Sequence, residues 1–264
     1  MAVERDRPSL VLIHGWGADN QVWQAWAEKY LAELFKLHFI ELPGFGEQAE
    51  IALSLSATAG QVNQAWLADL VARLPDQPTW LLGWSLGGLM AQQIFLQNPE
   101  RILGVVNLAS TPCFQQAQGW RYGVAPTLMI DFIHALQEDG KALLHKFYAL
   151  QCQGGDQARV FTKQLREQYL GRKLATFKGL YQGLQLLQSL DLREKMSHNK
   201  RPCLWLLGEN DPLVSALGLQ VWVEQAEAGQ VKVLEGAAHI PFLSHPELTS
   251  KYITNFINTG KSFD

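Results

Sequence analysis

The chain has 264 residues, of which 47% are hydrophobic and 18% charged, the composition of an ordinary soluble globular protein long enough for one large α/β domain with an insertion. Its 22 basic and 25 acidic residues leave a net charge of −3, which excludes a general nucleic-acid binder. Residues 1–8 are charged and lack an apolar core, and no run is apolar enough to span a bilayer, so neither a secretory leader nor a membrane partner is expected.

The first apolar run, 10–14, reads as a strand that ends in the tight turn His14-Gly15-Trp16-Gly17. Helical periodicity follows over 21–34, then a strand over 38–42 and a helix over 57–74. The next strand, 79–83, runs through Gly83-Trp84-Ser85-Leu86-Gly87-Gly88 into a helix over 86–98. A Gly-x-Ser-x-Gly pattern between strand and helix is the setting of a nucleophile elbow, with Ser85 at its tip. A Cβ at Gly83 or Gly87 would clash where the two backbones approach. A fourth strand spans 103–108.

Strand signals then stop until 203. Gly119, Gly123, Pro126, Gly140, Gly154, Gly155 and Gly171 divide the intervening stretch into four expected helices. Strands resume at 203–207 and 231–234. The reading is an α/β fold with a mostly parallel sheet and helices on both faces. Residues 1–110 and 201–264 form its core, and 111–200 form a helical cap over the carboxyl ends of the strands, where open α/β sheets bind ligands.

A serine nucleophile needs a base, an orienter for that base and an oxyanion hole. On this architecture the chain order is Ser, then Asp or Glu, then His. Asp211 follows the strand at 203–207 within Asn210-Asp211-Pro212, with Glu209 as the rival carboxylate. His239 follows the last strand, after small residues that permit a tight loop. Of the seven histidines it alone fits the order; His14 reads as a structural hydrogen-bonder. The oxyanion donors are the backbone N–H groups of Leu86 and Trp16, the Trp16 indole either lining the pocket or packing. No metal-ligand spacing appears, and no cofactor is expected. Cys113, Cys152 and Cys203 are odd in number and widely spaced, as idle thiols of a reducing, cytoplasmic protein would be.

With His14-Gly15-Trp16-Gly17, Leu42-Pro43-Gly44-Phe45-Gly46, the elbow and Ala237-Ala238-His239, the chain resembles the α/β-hydrolase superfamily over nearly its whole length. Ala109-Ser110-Thr111-Pro112-Cys113-Phe114, Phe147-Tyr148-Ala149-Leu150-Gln151 and Leu190-Asp191-Leu192-Arg193 make it similar, more closely, to the carrier-protein methyl ester esterases of bacterial biotin synthesis. That resemblance implies a serine carboxylesterase that hydrolyses the methyl ester of pimeloyl-acyl carrier protein through an acyl-enzyme on Ser85. It implies an acyl carrier protein as partner, contacted by basic cap residues, for which Lys146, Arg159 and Lys163 are the matching positions. The short amino terminus departs from the fold's pattern and leaves room for a missing first strand, and Asn210 departs from the expected residue before Asp211.

Charge distribution adds a separate argument. Between Lys141 and Lys178 eight basic residues face only Asp156 and Glu167, a net of +6 that leaves −9 for the rest of the chain. Arg159, Lys163 and Arg166 fall on one helix face. Such a face suits an acidic partner, or is simply a solvated surface. Phe147, beside Lys146, reads either as an acyl-chain contact or as core. The chain is expected to be a monomer. The competing readings are a broad short-chain ester hydrolase, a carbon–carbon bond hydrolase of the same fold, and a non-catalytic ligand-binding relative.

Overall fold

In the computed structural model, which describes residues 7–259 apart from Gly171 and Leu174, the described strands are β1 (Ser9–Ile13), β2 (Lys36–Ile40), β3 (Thr79–Trp84), β4 (Ile102–Leu108), β5 (Cys203–Gly208) and β6 (Gln230–Leu234). They form one parallel sheet in the order β2-β1-β3-β4-β5-β6. The central strands β1, β3 and β5 are buried throughout, while the edge strands β2 and β6 are half-exposed, as a sheet covered on both faces requires.

The helices are α1 (Gln24–Tyr30), α2 (Ala59–Ala72), α3 (Leu86–Gln97), α4 (Pro126–Cys152), α5 (Ala158–Gln168), α6 (Phe177–Ser189), α7 (Arg193–Ser197), α8 (Ala216–Ala226), α9 (Pro241–Ser244) and α10 (Pro246–Thr259). Side-chain alternation along β3 shows how the two faces are covered. Trp80 meets Phe256 of α10 edge-on at 5.7 Å, and Trp84 meets Trp23 and Phe242. Gly83 points to the other face, where α3 lies close enough that its backbone occupies the space of a side chain.

The sequence expectations differ from this architecture mainly at element ends. The strand expected at 38–42 lies two residues earlier, because pairing of Lys36 with Ser9 begins it and the chain turns away after Ile40. The helix expected at 21–34 is a 3-10 turn at Asn20–Val22 followed by α1. Asp19 caps the turn by accepting the Gln21 N–H, and the break falls at Trp23, whose backbone (φ −130°, ψ 0°) is not helical. By contrast α2 starts where a capping box of Thr58 and Gln61 satisfies its first donors.

Between β4 and β5, which are neighbours in the sheet, the described residues hold α4 to α7 and isolated bridges such as Cys113 with Asp191. The backbone of α4 breaks at Asp139 (φ −154°, ψ 91°), so it is two helices joined at a kink. Asp139 Oδ1 accepts the Ala142 N–H and so caps the second half. Gly171, one of the expected helix breaks, and residues 1–6, where a leading strand would fall, lie outside the described residues.

Candidate active site

Ser85 sits between β3 and α3 with φ 54° and ψ −120°, a conformation that costs a non-glycine residue about 1–3 kcal/mol. The surroundings hold it there. Its N–H donates to Leu108 O at 3.0 Å, and its carbonyl accepts the Ser110 hydroxyl at 2.8 Å. A Cβ on Gly83 would lie 2.5 Å from Gly87 O, and one on Gly87 2.1 Å from Ile13 O, so both glycines are needed for the tight turn.

The loops after β5 and β6 bring two more groups to this tip. Ser85 Oγ lies 2.9 Å from His239 Nε2, and His239 Nδ1 lies 2.7 Å from Asp211 Oδ2. Both His239 and Asp211 side chains are fully buried. The Asp211 carboxylate has no proton to give, so Nδ1 carries the hydrogen and donates it, leaving Nε2 to accept from the Ser85 hydroxyl. Asp211 Oδ1 accepts the N–H groups of Leu213 and Val214 at 2.8 and 3.0 Å, which keeps its charge hydrogen-bonded away from water. Glu209, the rival carboxylate, turns away and accepts the Gly236 N–H at 3.1 Å.

Four further hydrogen bonds brace the loops around this cluster. The Trp84 indole N–H donates to His239 O at 2.8 Å, and the His239 N–H donates to Gln151 O of α4 at 3.1 Å. His14, just past β1, donates from Nδ1 to Gly15 O at 2.8 Å and accepts the Leu42 N–H at Nε2 at 3.1 Å. Burial holds the His14 ring well below the ordinary histidine range, to about 4, so it stays neutral and pins the turn that follows β1 to the loop after β2.

That turn carries Trp16, whose indole donates to Leu180 O at 2.9 Å and whose ring fits against Gly183. The N–H groups of Trp16 and Leu86 make no hydrogen bond to another described residue. Phe147 packs edge-on against the Trp16 ring at 4.9 Å and is 5% exposed; it is both core and wall. Trp16, Phe147 and Ser85 line a narrow apolar chamber of about 30 Å³, completed by Phe114, Val124, Leu128, Met129, Phe132, Leu184, Leu187 and Leu213.

Lys146, Arg159 and Lys163 are exposed and line one open groove of about 1010 Å³ between α4 and α5, with Arg166 beside them. The basic excess of this region is therefore not one face. Arg172, Lys173 and Lys178 turn instead to acidic partners outside it, Asp19 at 2.6 Å, Glu47 at 3.8 Å and Glu50 at 2.9 Å. Within the groove wall Lys163 and Glu167 form an exposed pair at 3.7 Å, worth little in water. Among the described residues no group of three His, Cys, Asp or Glu could hold a metal, and no helix is long and apolar enough to cross a membrane.

Residues 10–251 match the model of a family described as the alpha/beta hydrolase family. The chain is 36% identical over 97% of its length to a pimeloyl-[acyl-carrier protein] methyl ester esterase of Aeromonas hydrophila, covering 99% of it. It is 37% identical over 94% of its length to the protein of the same name from Yersinia enterocolitica, covering 92% of it. Among solved structures, an esterase from Exiguobacterium antarcticum superposes with a TM-score of 0.80 at 19% identity, covering 96% of this chain and 93% of that one. A bromoperoxidase from Bacillus anthracis superposes with a TM-score of 0.81 at 19% identity, covering 96% and 92%. These two likenesses concern the fold alone.

Proposed function

The chain belongs to the α/β-hydrolase family, and from that membership we propose that it is a serine carboxylesterase acting on the methyl ester of a pimeloyl chain borne on acyl carrier protein, as the names of its relatives suggest. The observation that carries the esterase reading is the hydrogen-bonded chain Ser85–His239–Asp211 in an apolar chamber. Residues 111–200 act in this reading as a cap over a core made of 1–110 and 201–264.

In the acylation step His239 Nε2 takes the Ser85 proton as Oγ attacks the ester carbonyl. The negative charge that develops on the carbonyl oxygen is met by the N–H groups of Trp16 and Leu86; a donor so placed contributes about 3–4 kcal/mol to the transition state. His239 then protonates the departing methoxide, and methanol leaves. Water gives one proton to His239 and adds to the acyl-enzyme; His239 returns that proton to Ser85 as the free acid leaves and ionises in water. Asp211 holds the ring in the required tautomer and stabilises its cation throughout. Phe147 and Trp16 bound the acyl chain.

Support for a carrier-borne substrate comes from the groove. Lys146, Arg159 and Lys163 converge on one surface that shares a wall with the chamber, and an acidic carrier would be steered and oriented there. Two experiments test the two levels separately. Turnover of p-nitrophenyl butyrate by wild type and by Ser85→Ala tests the serine esterase: loss by a factor on the order of 10³ or more is expected, and equal rates would overturn it. Cleavage of carrier-linked against free pimelate methyl esters tests the substrate. A preference for the carrier-linked ester that falls with salt and with Arg159→Glu is expected, and equal cleavage would remove the carrier reading.

A further inference from the structure

We infer that Leu128 and Phe132, one turn apart on the first half of α4, are the door between the basic groove and the Ser85 chamber and thereby determine which acyl chains reach the nucleophile; this rests on the serine esterase reading above. The first argument is volume. A chamber of about 30 Å³ has room for roughly one water molecule and none for an acyl chain, so a wall must move before an ester of any length can bind.

The second argument is which wall is free to move. Trp16 is anchored through its indole to Leu180 O, and Phe114 is held by a backbone bond from Val124. The Leu213 backbone is bonded to Asp211. Phe147 lies on the second half of α4, whose next residue, Tyr148, donates its hydroxyl to Gly17 O. The first half of α4 differs. The side chains of residues 126–138 make no hydrogen bond or ion pair with another described residue, the N-cap Ala125 supplies no side-chain bond, and the helical backbone is broken from the second half at Asp139, ahead of Gly140. It is held by apolar packing, Phe132 lying 6.0 Å from the Trp16 ring and 5.9 Å from Phe147.

The third argument is position. Leu128 and Phe132 are half-buried and are the two residues that line both the groove and the chamber. Displacing them joins the two spaces. An unbranched chain would then lie with its ester at Ser85 and its far end in the groove, where Lys146 and Arg159 receive an anionic carrier protein. A short ester needs only a brief opening, whereas a long chain must hold the door ajar while it reacts.

The test is the ratio of kcat/KM for p-nitrophenyl octanoate to that for p-nitrophenyl acetate, measured in the full chain. Phe132→Ala should raise this ratio about tenfold, the effect that a methylene or two makes in an apolar pocket, and Phe132→Trp should lower it. Phe132→Leu and Leu128→Ala should each raise it, which keeps the test available if Phe132→Ala does not fold. Phe177→Ala, at an exposed ring stacked on Tyr181 and away from both spaces, should leave it unchanged. A ratio that none of the door variants moves, in protein whose turnover Ser85→Ala still abolishes, overturns the door and leaves the esterase reading intact. Turnover that survives Ser85→Ala overturns that reading instead.

Discussion

Trp84 donates its indole N–H to the main-chain carbonyl of His239 at 2.8 Å, so the residue that precedes Ser85 in the chain also holds the loop that carries its hydrogen-bond partner. The bond is fully buried, and its acceptor has no access to water as a substitute. Trp84→Phe keeps most of the apolar contact with Phe242 and Trp23 but removes the donor. Leaving the carbonyl unsatisfied costs about 1–3 kcal/mol, which urea unfolding would read as a lower midpoint. Because the carbonyl belongs to His239 itself, kcat should fall more than KM rises. A variant that loses stability but keeps wild-type kcat would show that the bond serves the fold alone.

Asp211→Asn tests the tautomer. The Asn oxygen can still accept the N–H groups of Leu213 and Val214, so the loop has little reason to move. That orientation turns the amide N–H₂ toward His239 Nδ1, which must then accept. The proton is displaced to Nε2, where the ring can no longer take one from Ser85. A kcat lower by a factor on the order of 10⁴, in a protein of near wild-type stability, is the expected result. A loss of tenfold or less by steady-state kinetics would mean that Asp211 does not orient the ring.

The elbow, Asp211 and His239 were legible in the chain because each sits in a short contiguous motif beside a strand end, and a parallel sheet gathers strand ends on one side. The break in α4 had a local signal too, in Glu138-Asp139-Gly140. What the sequence could not display were bonds between distant segments. The partners of Arg172, Lys173 and Lys178 lie more than a hundred residues away, so a count of charges treats them as free when they are paired. For the same reason the acceptor of the Trp84 indole had no signal, and His14, legible as a structural hydrogen-bonder, did not display Leu42 as its partner.

His14 makes stability depend on pH in a definite direction. Its folded-state pKa, about 4, lies below the ordinary value of 6.5 because burial disfavours the cation. Above pH 6.5 the ring is neutral in both states and has no effect. Between 6.5 and 4 the unfolded chain takes up a proton that the folded chain does not, and stability falls by about 1.4 kcal/mol per unit, roughly 3 kcal/mol in all. Below pH 4 the contribution levels off. His14→Gln, which offers an acceptor to the Leu42 N–H and a donor to Gly15 O, should flatten this part of the profile in urea unfolding series between pH 4 and 7. An unchanged slope would assign the acid sensitivity to other groups.

Arg172 and Asp19 join the segment after α5 to the turn that presents the Trp16 N–H. Asp19 is buried, and burial raises its carboxyl above the usual 3.8 even though Arg172 opposes the shift. A raised carboxylate pKa means that the ionised group weakens the fold above that range and ceases to do so as pH falls through the folded-state value. Arg172→Gln removes the partner that limits this penalty. Since Arg172 is itself partly exposed, the loss at pH 7 should be about 1–3 kcal/mol, less than for a wholly buried pair. The variant should regain more stability than wild type as the pH is lowered from 7, because loss of Arg172 raises the Asp19 carboxyl further, and Arg172→Gln with Asp19→Asn should recover most of it at pH 7. Turnover separates two roles for the pair. If it aligns the oxyanion turn, kcat falls in the single variant and returns in the double one. If it only fastens the segment, unfolding midpoints shift while kcat stays level.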